Sequence, residues 1–196
     1  MAKLESSLKN MIVSLGVISL VASGLLGVVQ KLTEAPIAKA QKDKQEQAIK
    51  AVLPDKTAQI GSPDTIRVEG KENPYIVFPA TKDGKLVGAA IQTYSKKGYA
   101  GLIEVMVGMD TTGAISNYEM ITTGETAGLG SKLGFWFKTN RGKQSVLGKS
   151  PKTSNFKVSK DGGDFDAITA STISSRAFME SMRDAYTAFV QYQNKK

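Results

Sequence analysis

The chain has 196 residues, 41% of them hydrophobic, a net charge of +8, and neither cysteine nor histidine. That length supports one ordinary domain with a sizeable core. The missing residue types exclude disulfides, thiolate nucleophiles, Cys/His zinc sites, histidine-ligated haem and Ser-His-Asp triads, so demanding redox chemistry must come from a borrowed group.

Hydrolysis by carboxylates stays open, since 18 acidic residues are present. No run of five or more Lys/Arg occurs. This argues against nucleic acid as a partner and leaves anionic lipid or an acidic protein face as uses of the positive charge.

A tail of residues 1–10 carries Lys3, Glu5 and Lys9, and Met11–Val29 then runs without a charged residue. At a rise of ~1.5 Å per residue this stretch spans ~28 Å, the thickness of a bilayer's hydrocarbon core, and predicts a single transmembrane helix. Leu25-Leu26-Gly27-Val28-Val29-Gln30 offers no small-residue cleavage pattern, so the segment is expected to stay as an anchor rather than be removed as a signal peptide. Lys3 and Lys9 on one flank face Lys31, Lys39, Lys42 and Lys44 on the other. By itself that count slightly disfavours a cytoplasmic N-terminus, although a large following domain crosses regardless of its charge.

Residues 30–74 are expected to hold a spacer helix and a linker. Ala35–Leu53 is rich in Ala, Gln, Lys and Glu, with Pro36 at its start and Pro54 just past its end, which predicts a helix. Its apolar stripe of Ile37, Ala40, Ala48, Ile49 and Val52 is thin, so it reads as mostly solvated. Pro54, Gly61, Pro63, Gly70 and Pro74 then mark an irregular connection.

From Tyr75 to the C-terminus, residues 75–196, the pattern is that of the main domain. Tyr75–Ala80 and Leu86–Tyr94 flank Lys82-Asp83-Gly84-Lys85, while Leu102–Val107 and Ala114–Thr122 flank Asp110-Thr111-Thr112-Gly113. Short β-rich runs joined by Gly-containing turns predict an antiparallel meander of four strands. In Ile173–Gln193 the residues Phe178, Met182, Ala185, Phe189 and Tyr192 form one helical stripe that would cover a face of that sheet. The fold class is therefore α+β: an antiparallel β-meander packed by a C-terminal helix, preceded by a transmembrane helix and a spacer helix.

Three segments stand out chemically. Thr122–Gly130 holds three glycines in seven residues, which serves either tight turns or close backbone approach to a flat or phosphorylated ligand. Asp164–Ser175 sets hydroxyls at Thr169, Ser171, Thr172, Ser174 and Ser175 against the start of the last helix. One hydroxyl suffices for a cap, and the surplus suits a phosphate at the helix N-terminus. Gly134-Phe135-Trp136-Phe137 holds the only tryptophan, and its aromatics serve a core or a stacked ring. Lys157 and Lys160 are surface cations or counter-charges for an anionic ligand.

Asp166-Ala167-Ile168-Thr169-Ala170-Ser171-Thr172 resembles the flavinylation motif of FMN-binding domains, Asp-x-x-(Ser/Thr)-Gly-Ala-Thr, and Glu125-Thr126-Ala127-Gly128-Leu129-Gly130 resembles that family's Glu-Thr-Pro-Gly-Leu-Gly loop. Their order, together with the anchor, is similar to the G subunit of the Rnf electron-transport complex, a relative of the C subunit of the sodium-translocating NADH:quinone reductase. Ala170 departs from the usual Gly, Ser171 from Ala, and Ala127 from Pro. A glycine at position 170 would serve a backbone angle that alanine tolerates poorly.

The resemblance implies an electron-relaying component with FMN joined by a phosphodiester to Thr172. Thr169, Ser171 and Asp166 would shape the acceptor segment, and Glu125, Thr126, Gly128 and Leu129 would form the loop lying against the flavin. It further implies other membrane subunits as partners, maturation by a flavin transferase using FAD and a divalent metal, and residence in the bacterial inner membrane with residues 75–196 on the periplasmic side. The residues alone leave two other readings open: a membrane-anchored binding or assembly module, and a hydrolase using Asp164 or Asp166.

Overall fold

A computed structural model describes residues 7–195; Lys3, Glu5 and most of the expected tail lie outside the described residues. The chain separates into two compact units, one ending at Asp43 and the other beginning at Lys44. Helix α1 (Leu8–Val52) begins in the first, where it carries the expected apolar span, and its last nine residues belong to the second. Met11–Val29 is exposed along its whole length, and the helix is long and apolar enough to cross a membrane.

Helix α1 differs from the expectation of two helices. It runs unbroken through Pro36. A proline removes one N–H and crowds the preceding turn, but the strong helix formers on both sides keep the rest of the ladder. The separate helix start expected at Pro36 is therefore absent.

In the second unit the sheet contains β1 (Gln59–Ile60), β2 (Asp64–Ile66), β3 (Tyr75–Lys82), β4 (Lys85–Gly98), β5 (Gly101–Asp110) and β6 (Ile115–Thr123). All neighbours are antiparallel in the order β1-β3-β4-β5-β6, and β2 pairs with the opposite end of β3 from β1. The four expected strands are present, and the connection over 54–74, expected to be irregular, supplies the two short edge strands. The β3–β4 turn places Asp83 at φ 51° and Gly84 at φ 74°, the left-handed pair that a two-residue hairpin requires.

After β6 the chain makes a single-turn helix α2 (Leu133–Trp136), a long loop, and α3 (Thr172–Lys195). Alternation along the strands gives the sheet two apolar faces. Val77, Ile91, Val105 and Val107 meet Phe178, Met182, Ala185 and Phe189 of α3, the expected stripe. Phe137 stacks on Phe178 with ring centroids 4.7 Å apart, so part of the aromatic segment serves this core.

The spacer helix is mostly solvated, as its thin stripe predicts, but its last two turns dock on the opposite face of the sheet. Ala48, Ile49, Val52 and Leu53 are buried with Ala80, Ala90 and Met106. Of the five stripe residues Ile37 and Ala40 stay exposed, and Ala48, Ile49 and Val52 with Leu53 suffice to dock two turns. Ser116 donates to the Val52 carbonyl over 2.6 Å and Asn117 to the Ala51 carbonyl over 3.0 Å, satisfying acceptors that a helix end leaves open. A Cβ on Gly108 would lie 1.8 Å from the Val52 oxygen, so this approach needs glycine.

Candidate functional site

The segment before α3 is held by Asp166. Its N–H donates to the Lys143 carbonyl over 2.9 Å, and its carboxylate accepts from the Lys143 N–H over 3.0 Å and from the Ser159 hydroxyl over 2.8 Å. The Ser159 hydroxyl and then the Lys143 N–H hold this carboxyl below the usual range. Trp136 donates its indole N–H to the Asp166 carbonyl over 2.9 Å. Asp164 accepts from the Asn155 N–H over 2.7 Å. Both aspartates thus clasp the loop.

A turn from Ile168 to Ser171 then enters the helix, closed by Ser171 N–H to Ile168 oxygen at 3.0 Å, with Ala170 at φ 61°. That is the left-handed region in which glycine is preferred. The backbone thus gives the physical reason for a glycine at this place in the resembling motif.

The hydroxyls of the first turn divide unequally. Ser175 accepts from the Ile168 N–H over 3.0 Å and donates to the Ser171 carbonyl over 2.9 Å. Ser171 and Ser174 bond each other over 3.0 Å, and Ser174 donates to Glu125 over 2.8 Å. Among the described residues, Thr172 is the one hydroxyl of the first turn of α3 with no hydrogen bond, and Thr169, exposed just before that turn, makes none either. The N–H groups of Thr172, Ile173 and Ser174 also meet no acceptor among the described residues. Three open donors at a helix start favour an anionic group.

Opposite the helix start lies the loop after β6. Thr126 O accepts from the N–H groups of Leu129 and Ser131, each at 3.2 Å, and Gly128 N–H donates to the Ser131 hydroxyl over 2.9 Å. Glu125 is set between Gly98 and Gly130. A Cβ on Gly98 would stand 2.7 Å from one of its carboxylate oxygens, and a Cβ on Gly130 would stand 2.5 Å from the other.

The loop, the helix start and the tip of the β4–β5 hairpin enclose a cleft of about 550 Å³, within the usual size of small-ligand sites. It is lined by the expected Glu125, Thr126, Leu129, Ser171 and Thr172. Gly128 lies exposed in the same loop and Thr169 exposed before the helix, both outside that lining, and Asp166 is not among the lining residues but clasps the segment as described above. Lys157 lines a neighbouring cleft with Lys97 and Arg176, and Lys160 is exposed on a short turn.

Tyr99, Gly130, Ala170, Ile173 and Ser174 complete the cleft beyond the expected site residues. For Tyr99 the one signal in the sequence is an aromatic residue in the two-residue interval between Gly98 and Gly101.

Residues 98–187 match the FMN-binding domain family, an interval that begins at this hairpin and runs through the loop into α3. The chain is 31% identical to the G subunit of the ion-translocating oxidoreductase complex of Shewanella oneidensis, over 91% of this chain and 88% of that protein. It is 30% identical to the G subunit of Erwinia tasmaniensis, over 87% of this chain and 84% of that protein. The G subunit of Pseudomonas aeruginosa is 29% identical over 94% and 89%. The chain belongs to the G-subunit family of ion-translocating oxidoreductase complexes.

Membership in the G-subunit family agrees with the resemblance drawn from the two motifs and the anchor. The cleft suits the phosphorylated flavin that the domain family's description names: a free hydroxyl beside open N–H donors at one end, and Tyr99, Leu129 and Ile173 as apolar surface around it.

Proposed function

We propose that this chain is a membrane-anchored flavoprotein that carries FMN in phosphodiester linkage to Thr172 and relays electrons within an ion-translocating oxidoreductase complex. The observation that carries the reading is the free Thr172 hydroxyl, the one left without a partner in a helix turn crowded with hydrogen-bonded serines. Bound flavin supplies the redox chemistry that a chain without Cys or His cannot provide.

Attachment is a phosphoryl-group transfer from FAD by a separate flavin transferase with a divalent metal. The Thr172 oxygen bonds to the flavin-side phosphorus, the pyrophosphate P–O bond breaks, AMP departs with the electron pair, and the hydroxyl proton passes to a base of the transferase. Asp166 positions the acceptor segment, and the N–H groups of Thr172, Ile173 and Ser174 offset the charge of the resulting phosphodiester. Thr172 is a tether and takes no part in electron transfer.

The partners are the other membrane subunits of an Rnf-type complex. The anchor lies in the bacterial inner membrane, and the main domain, residues 75–196, lies on the periplasmic side, where a covalent bond prevents loss of the cofactor.

Production of the full chain together with a flavin transferase, followed by denaturing electrophoresis and intact mass, tests the reading. One flavin per chain is expected, mapping to the peptide that contains Thr172. Thr172→Ala should abolish it and Thr172→Ser retain it, with unchanged circular dichroism in both. An unmodified wild-type chain under these conditions, or flavin mapped elsewhere, overturns the assignment.

A further inference from the structure

Six large hydrophobic side chains are exposed outside α1 among the described residues, and three of them, Tyr99, Leu129 and Ile173, line the Thr172 cleft. Tyr99 is the most open at 72% exposed, compared with 39% for Leu129 and 49% for Ile173. Its ring makes no aromatic contact and its hydroxyl no hydrogen bond among the described residues. A two-residue hairpin loop ordinarily takes small or polar residues, so the fold alone gives Tyr99 no purpose.

The hairpin tip is nevertheless held in place. Gly98 pairs with Gly101 across the two-residue loop. The Ala100 N–H donates to Glu125 over 3.4 Å, and the same carboxylate accepts from Ser174 in the first turn of α3 over 2.8 Å. One carboxylate thereby sets the distance between the hairpin that carries Tyr99 and the helix start that carries Thr172.

We propose that Tyr99 is a flavin-positioning residue: its ring stacks on the isoalloxazine, with Leu129 and Ile173 as the apolar surface on the other side. This rests on the reading that FMN is attached at Thr172. A planar, apolar group tethered at the helix start would cover the three side chains that the protein leaves open to water, and aromatic stacking favours such a seat beyond simple area burial. A phenol ring in contact with an isoalloxazine also gives an electron to its excited state and takes it back without emission, so the bound flavin should be dim.

The test uses the full chain flavinylated by a co-produced transferase, with Tyr99→Leu, Tyr99→Phe and Tyr99→Trp. Covalent flavin is measured after denaturation, and flavin fluorescence and visible circular dichroism are measured before it. All variants should carry as much flavin as wild type. Tyr99→Leu should brighten several-fold in the native state and lose most of the visible dichroism. Tyr99→Phe should brighten while keeping the dichroism, because the stack remains without its electron donor. Tyr99→Trp should restore the quenching.

Native fluorescence and dichroism unchanged in Tyr99→Leu, with flavin attached, would overturn the seat. It would place the ring elsewhere, such as the adjoining cleft lined by Lys97, Lys157, Arg176 and Arg183. A wild-type chain without flavin would instead fail the underlying assignment, and the seat with it.

Discussion

Ser174, buried in the first turn of α3, donates its hydroxyl to the carboxylate of Glu125, 49 residues earlier in the chain, over 2.8 Å. This bond joins the glycine loop to the helix start, and the two walls of the cleft hold their spacing through it.

Removing either partner should loosen that spacing. A hydrogen bond to a charged group contributes about 1.5–3 kcal/mol, and partial exposure of Glu125 reduces this to about 1–2 kcal/mol for Glu125→Ala. Ser174→Ala should cost about 1 kcal/mol. In a double-mutant cycle read by chemical denaturation the pair should couple by about 1 kcal/mol; strict additivity would mean that the bond contributes nothing.

Ala170 sits at φ 61°. An L-residue in that region is strained by about 1–2 kcal/mol, and glycine gives back about half of the gain through the entropy of the unfolded chain. Ala170→Gly should therefore stabilise the protein by about 0.5–1 kcal/mol, read as a rise in Tm, with covalent flavin yield at least equal to wild type. A fall in Tm would show that the turn does not hold this angle in solution.

Glu180 accepts from Lys71 over 2.7 Å, from Lys97 over 2.9 Å and from Ser95 over 3.0 Å, tying α3 to β4 and to the connection before β3. Burial opposes its ionisation, and these hydrogen bonds outweigh burial, lowering the carboxyl from 4.5 to about 2. A pKa depressed on folding gives stability that is present above the unfolded value and lost as pH falls through the folded one. Denaturation between pH 6 and pH 2 should show stability falling from about pH 4.5 downward, and Glu180→Gln should flatten that slope while lowering stability at neutral pH by about 1–3 kcal/mol.

Gly108 admits the end of α1 against the sheet, and no side chain fits there. Gly108→Val must displace backbone rather than a flexible side chain, so its cost should reach about 3 kcal/mol, the upper part of the overpacking range. In detergent, trypsin should cut the variant faster than wild type at Lys50 and Lys56, on either side of the buried turn. Equal cutting rates would contradict the docking.

The two periodicities are local, and this is why so much of the fold was legible. Alternation in Tyr75–Thr123 and the 3.6-residue stripe from Phe178 to Tyr192 are written by consecutive residues, and strands β3 to β6 and helix α3 lie where those patterns place them. Pro36 misleads because its local penalty is outweighed by the long run of helix formers around it. The docked end of α1 escapes a reading of the chain because its stripe is completed by Ala80, Ala90 and Met106, which are distant in sequence.

At the candidate site, the amino-acid sequence alone determined which chemistry was present: no thiol or imidazole, a glycine loop, and a helix start with more hydroxyls than a cap needs. Only the tertiary structure decided which hydroxyl of the first turn of α3 stays free and which aromatic ring lines the same cleft. Ser171, Ser174 and Ser175 are used up by one another, by Ile168 and by Glu125, and Tyr99 reaches the cleft on a hairpin tip. Hydrogen-bond partners and cleft walls arise from residues far apart in sequence, and no spacing along the chain records who will meet whom.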